Sequence, residues 1–137
     1  MSGAPSVSAD RRSIDPDSVA LALRRWLFSG SCQSVAGAFC AWREARTGRL
    51  AFEYSENNGY LLTYAAALED PTPAELAAAR RSADWLARRL ARGDLSARAG
   101  WDGGAIYTFD LAMTATGLMS FGLSRELRMK PDFGIAK

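Results

Sequence analysis

Two stretches of this chain, Leu61–Leu68 (LLTYAAAL) and Leu111–Leu118 (LAMTATGL), are built of apolar and small residues on nearly every side. A helix of that composition has no face suited to water, so it must be enclosed by neighbours. The longer helical readings around them run from about Asn58 to Leu68 and from about Phe109 to Phe121. Any fold for this chain has to supply cover for both.

The cover is legible on either side. A first helix starts at Asp15-Pro16-Asp17-Ser18, where Asp15 caps, Pro16 suits the first helical position and Asp17 complements the dipole. Val19, Leu23, Trp26 and Leu27 recur at i, i+4, i+7 and i+8, and Gly30 ends the helix. A third helix opens with Thr72-Pro73-Ala74-Glu75, a capping box with proline at the first helical position. Its apolar stripe is Leu76, Ala79, Ala83, Leu86 and Leu90, and Gly93 stops it. Arg80, Arg81, Arg88 and Arg89 fall on other faces and, with Arg92 and Arg98, read as a solvated surface diluted by Glu75 and Asp84. Residues 31–56 and 94–108 are long connections, and the first carries Phe39, Trp42, Phe52 and Tyr54, which argue against disorder. Residues 1–14 read as a disordered leader, and 124–137 as an irregular or weakly helical tail interrupted by Pro131 and Gly134.

A repeat emerges from this layout. An amphipathic helix (with Trp26, then with Trp85) is followed by a glycine-bearing loop and then by a buried helix. The loops correspond as Gly37-Ala38-Phe39-Cys40-Ala41-Trp42 and Gly104-Ala105-Ile106-Tyr107-Thr108-Phe109. Two such units, each about 50–65 residues, match the size of a large helical repeat. Alternation of exposed and buried helices is the plan of an α/α toroid, whose outer helices shield inner ones around a central cavity. The expected fold is therefore all-α, two helical hairpins of an incomplete α/α toroid spanning residues 15–123.

Gly37-Ala38-Phe39-Cys40-Ala41-Trp42 followed by Phe52-Glu53-Tyr54-Ser55-Glu56-Asn57-Asn58-Gly59-Tyr60 resembles a pattern of bacterial α/α-toroid proteins, roughly G-x-F-x-x-W and then Y-P-E-x-T-G-Y. Ala83-Asp84-Trp85-Leu86 and Asp102 to Asp110 resemble the next stretch of the same proteins. These are related in fold to six-hairpin glycosidases, sugar epimerases and squalene-cyclase-like repeat proteins. Ser55 and Asn58 stand where that pattern has proline and threonine. A full toroid needs about twelve helices and well over 300 residues by repeat arithmetic, so the resemblance implies an N-terminal portion that is a fragment or completes itself by association. It also implies a link to carbohydrate metabolism, although this fold hosts unrelated chemistries.

Composition narrows the chemistry. The chain has 137 residues, 48% hydrophobic and 23% charged, with net charge +2, and a mean hydropathy of −0.12. No apolar run approaches the roughly 18–20 residues of a membrane span. The N-terminus has no apolar segment of the secretory type, so a cytoplasmic location is the expectation. Histidine is absent, which removes His-dependent triads and HExxH zinc sites. Cys32 and Cys40 cannot form a four-thiolate zinc site alone and read as small packed hydrophobes. No P-loop or dinucleotide fingerprint occurs, and neither metal nor cofactor is expected. The mild charge calls for neither a nucleic-acid nor a membrane partner.

What remains is carboxylate and aromatic chemistry. Glu56 precedes the first buried helix and Asp110 opens the second, so the topology puts two carboxylates at neighbouring helix N-termini. Paired carboxylates are what glycoside hydrolysis uses; the alternative is that both complement the helix dipoles. A helix N-terminus favours the ionised form, which suits a base, nucleophile or hydroxyl ligand. Trp42, Tyr54, Tyr60, Trp101 and Tyr107 are candidate stacking and hydrogen-bonding groups for a sugar, and Asp102 opens the tight turn Asp102-Gly103-Gly104. The expected function is a carbohydrate-associated domain that binds or processes a glycan or uronate at the loop end of the inner helices. The alternative is a non-catalytic helical module that self-associates, or meets a partner chain, through its unpaired inner helices.

Overall fold

The structure, a computed structural model, describes residues 15–98 and 103–129. Within them the chain forms α1 (Pro16–Leu27), α2 (Ser55–Ala67), α3 (Pro73–Ala91) and α4 (Thr108–Met129), with no strand. The all-α expectation holds. The leader at 1–14, Trp101, Asp102 and the end of the tail lie outside the described residues.

Two helix starts follow their caps. Asp15 accepts from the backbone N–H groups of Asp17 and Ser18, each at 3.2 Å. The Thr72 hydroxyl accepts from Glu75 N at 3.3 Å while the Glu75 carboxylate accepts from Thr72 N at 2.8 Å, the reciprocal capping box. Glu75 has a second role: it receives Arg24 of α1 in a two-pronged pair at 2.6 and 2.7 Å. Arg24 also donates to the carbonyl of Asp70 at 3.1 Å.

The other two helices depart from expectation. α2 starts at Ser55, three residues before Asn58, and Tyr54 gives it no side-chain cap. The carbonyl of Ala97, far along the chain, accepts from Ser55 N at 2.9 Å instead, so a tertiary contact meets an N–H that the helix leaves open. α4 runs past Phe121 to Met129, into residues expected to be irregular or weakly helical. Between Phe121 and Lys130 only Gly122 weakens helix propensity, and Pro131 is the first residue that forbids continuation.

α2 lies at the centre, with α4 packed along one side and α3 on the other. The α2–α4 contact is backbone on backbone. A Cβ on Gly59 would collide with the carbonyl of Met113, and one on Gly117 would collide with the carbonyl of Gly59. Leu62 and Ala65 of α2, Ala79, Trp85 and Leu86 of α3, Phe121 of α4 and Ala38 form the main core. The buried face of α3 joins Ala79 and Leu86 of the expected stripe with Ala78, Ser82, Trp85 and Arg89, while Leu76 and Ala83 pack half-buried against the core. Leu90, the last residue of that stripe, is exposed.

α1 differs from its expected counterpart α3. None of its residues is buried, and Val19, Leu23 and Trp26 of its apolar stripe remain exposed. The long connection after it is a hairpin-like ribbon held by isolated antiparallel bridges at Gln33–Phe39, Cys40–Glu53 and Arg43–Leu50. α3 clamps this ribbon: Trp85 Nε1 donates to Glu53 at 3.1 Å and Arg88 donates to the carbonyl of Ala36 at 2.9 Å.

Candidate functional site

The Gly59–Gly117 contact sets α2 and α4 side by side in parallel, so their first turns meet. Thr114 Oγ1 donates to the carbonyl of Ser55 at 3.4 Å. Glu56 sits in the first turn of α2 and Asp110 in the first turn of α4. The structure brings the two carboxyl groups within interaction range, and Tyr54 joins them by donating its hydroxyl to Glu56 Oε2.

The electrostatics of the pair oppose the expectation from the helix dipole. Asp110 is 6% exposed, and its Oδ2 has no hydrogen-bond partner among the described residues. Burial first, and then the neighbouring Glu56, push its carboxyl above the ordinary aspartate value; Arg98 and Tyr54 oppose this. Desolvation thus outweighs the dipole at this helix start. Tyr54 is pushed up to about 12, chiefly because its proton is held by Glu56 and secondarily by burial. Asp110 is the member of the pair that holds a proton more readily than an exposed aspartate does.

The loop before α4 is anchored to the same place. Tyr54 and Arg98 pair as an antiparallel bridge. The Arg98 guanidinium lies 5.7 Å from the ring centres of Phe52 and Tyr54 and 5.8 Å from that of Tyr107, an arrangement suited to cation–π attraction. Arg89, expected on the solvated face of α3, is 3% exposed. It forms a two-pronged pair with Asp94 at 2.9 Å and donates to Ser55 Oγ, Ser96 Oγ and the Ser96 carbonyl, each at 2.7 Å. Its stem was needed inside, because the segment from Asp94 to Ala97 has to reach the start of α2.

Asn58 does the corresponding work for the ribbon. Fully buried, it accepts from Phe39 N and the Ser82 hydroxyl and donates to the carbonyls of Phe39 and Tyr54, at 2.6–2.9 Å. This satisfies the amide and locks ribbon, α2 and α3 together. Sequence reading missed Asn58, Arg89 and Arg98 as organising residues. Its one signal was the departure at Asn58 from the toroid pattern.

Two neighbouring cavities open at this end. One of about 290 Å³ is lined by Trp42, Phe52, Tyr54, Asn57 and Arg98. The other, about 320 Å³, lies between α1, the ribbon and α2, and Trp42 and Asn57 border it too. Trp42 is 55% exposed and rests edge-on against Phe52 at 5.1 Å. Tyr60 lines the larger cavity, apart from the carboxyl pair, and Tyr107 is exposed beside Arg98. The space against Asp110 itself is about 10 Å³, room for one water at most. Cys32 and Cys40 are free and buried; burial raises both thiols, Cys40 to about 11 with help from Glu53. Among the described residues no group of three or more Cys, Asp or Glu could hold a metal ion, and no helix is long and apolar enough to cross a membrane.

No protein-family model matches the chain, and no curated protein and no solved structure matches it.

Proposed function

We propose that the chain is a carbohydrate-associated domain of α/α-toroid type that binds, or acts on, a glycan or uronate where α2 and α4 begin. The observation that carries the reading is the meeting of Glu56 and Asp110 behind Tyr54, which itself lines the 290 Å³ cavity beside Trp42. An exposed indole is a platform for a sugar ring, and phenol, amide and guanidinium groups match hydroxyls or a carboxylate. Asp110, whose carboxyl burial raises above the ordinary aspartate value, is suited to deliver a proton, and the neighbouring Glu56 is the second carboxylate that such chemistry uses. With room for about one water beside Asp110, the reading assigns the sugar contacts to Tyr54 and Trp42 of the larger space. The reading needs neither metal nor cofactor, and the two free thiols fit a cytoplasmic setting.

Calorimetric titration with neutral oligosaccharides and with glucuronate tests it, alongside Glu56→Gln, Asp110→Asn and Tyr54→Phe. Binding by the parent chain, weakened at least about tenfold (1.4 kcal/mol) in Glu56→Gln, supports the reading. Absence of sugar binding, or equal binding by all variants, removes it.

A second reading, association with another copy or a partner chain, is favoured by a different observation. Phe109, Met119 and Leu123 of α4 are exposed, as are Val19, Leu23 and Trp26 of α1. The unpaired apolar faces thus lie on α1 and the outer side of α4, while Leu62 of α2 is fully buried. Light scattering on a sizing column distinguishes the readings. A discrete oligomer that Met119→Asp and Leu123→Asp convert to monomer supports association; a parent monomer of 14.8 kDa excludes self-association.

A further inference from the structure

The 320 Å³ cavity differs in chemistry from its neighbour. Trp26, Trp42, Tyr60 and Tyr64 supply its aromatic surface, and no charged side chain lines it. Its floor includes Cys32 and Cys40, which face the same space because they are opposed across the ribbon: Cys40 N donates to the Cys32 carbonyl at 2.9 Å. Burial keeps both thiols protonated at neutral pH. The one carboxamide, Asn57, already gives its amide nitrogen to the carbonyls of Cys40 and Ala41, at 3.3 and 3.5 Å.

These facts select a ligand class. A charged ligand would be desolvated without a counter-charge, and a polyol would leave several hydroxyls unpaired. Beyond the Asn57 amide nitrogen, the side-chain hydrogen-bonding groups along the lining include the Asn57 carboxamide oxygen and the ring ends of Tyr60 and Tyr64. The volume is at the lower end of small-molecule sites, roughly 300–1,000 Å³. Trp26 belongs to a helix that buries none of its own residues, so a molecule in this space would give α1 the apolar contact it lacks.

We propose that this cavity binds a small, uncharged, mainly aromatic molecule against Trp26 and Trp42, over the Cys32–Cys40 floor. The site goes beyond the glycan reading. Trp26 and Tyr64 line this cavity and not the smaller one, whereas Tyr54 and Arg98 do the reverse.

The test uses the full chain and N-phenyl-1-naphthylamine, an uncharged fluorescent probe, with its anionic relative 1-anilinonaphthalene-8-sulfonate as comparison. Saturable one-to-one binding of the uncharged probe is expected, with the sulfonate at least about tenfold weaker. Trp26→Ala and Tyr64→Ser should each weaken binding by about tenfold, while Tyr54→Phe and, on the outer face of α4, Leu123→Ser should leave it unchanged. Bound probe should slow alkylation of Cys32 and Cys40 by N-ethylmaleimide. Non-saturable uptake, full binding by both cavity variants, or an equal loss in Leu123→Ser overturns the proposal. Probe binding that survives Tyr54→Phe while sugar binding is lost separates this site from the glycan reading.

Discussion

The backbone of Gly117 in α4 rests directly on the backbone of Gly59 in α2, with no room for a side chain on either. This contact determines where α4 begins relative to α2, and hence that Asp110 lies beside Glu56.

Gly59→Ala and Gly117→Ala should therefore each destabilise the fold by about 2–3 kcal/mol, despite alanine's better helix propensity. Gly122, five residues on, has open space around the same position, so Gly122→Ala should stabilise by about 0.5–1 kcal/mol. Urea unfolding midpoints of the three variants check this; equal effects at Gly117 and Gly122 would contradict the close packing.

Asn58→Ala should cost about 3 kcal/mol, because it leaves the buried Phe39 N and the Ser82 hydroxyl without their acceptor and removes one of the two donors at the carbonyls of Phe39 and Tyr54. Amide exchange at Phe39 should accelerate more than exchange in α4. A loss below about 1 kcal/mol would mean water replaces the amide readily.

Asp110 makes stability depend on pH in a stated direction. Its folded value is raised above the unfolded value near 3.8. Its stabilising contribution is thus fully present below about 3.8 and is lost as pH rises through the folded value. Asp110→Asn should be more stable than the parent at pH 7, with the gain shrinking below about pH 4. Glu75, drawn down to about 2 chiefly by Arg24, and Asp94, drawn well down chiefly by Arg89, act oppositely. Their stabilisation is present above ordinary carboxylate values and is lost as pH falls through their folded values. Denaturation curves from pH 3 to 7 would contradict the assignment if Asp110→Asn were the less stable protein at pH 7.

Arg89→Ala should cost about 3 kcal/mol and release the segment that caps α2. Cleavage by trypsin after Arg92 or Arg98 should become faster than in the parent, with the fragment pattern read by mass spectrometry. Unchanged cleavage there would mean that other contacts hold the loop.

Much of the helix framework was legible because its causes are local. Asp15 and Thr72–Glu75 are caps within one turn of their helices, and the apolar stretch at 61–68 sends Leu61, Leu62, Ala65 and Leu68 into the core. The stretch at 111–118, expected to be enclosed, buries Thr114 and Gly117 but leaves Ala112, Ala115 and Thr116 exposed, because α4 packs against α2 along one side alone. The pairing of Glu56 with Asp110 was legible from topology, because both follow long loops at one end. The proton balance of that pair was not, since it depends on how completely Asp110 is desolvated. Arg89 was misread for the same reason: a helical position shows which residues share a face, and only the neighbours show whether that face meets water.

The sequence by itself determined that this chain would be helical, where the caps of α1 and α3 would fall, and that no histidine is available to it. Tertiary structure decided the start of α2, where Ala97 supplies the missing acceptor, and the burial of Asn58 and Arg89 as joints between distant segments. It also decided the division of the loop end into a polar and an apolar cavity at Trp42. Propensity and capping act over a few residues, whereas desolvation and backbone contact arise only when distant segments pack.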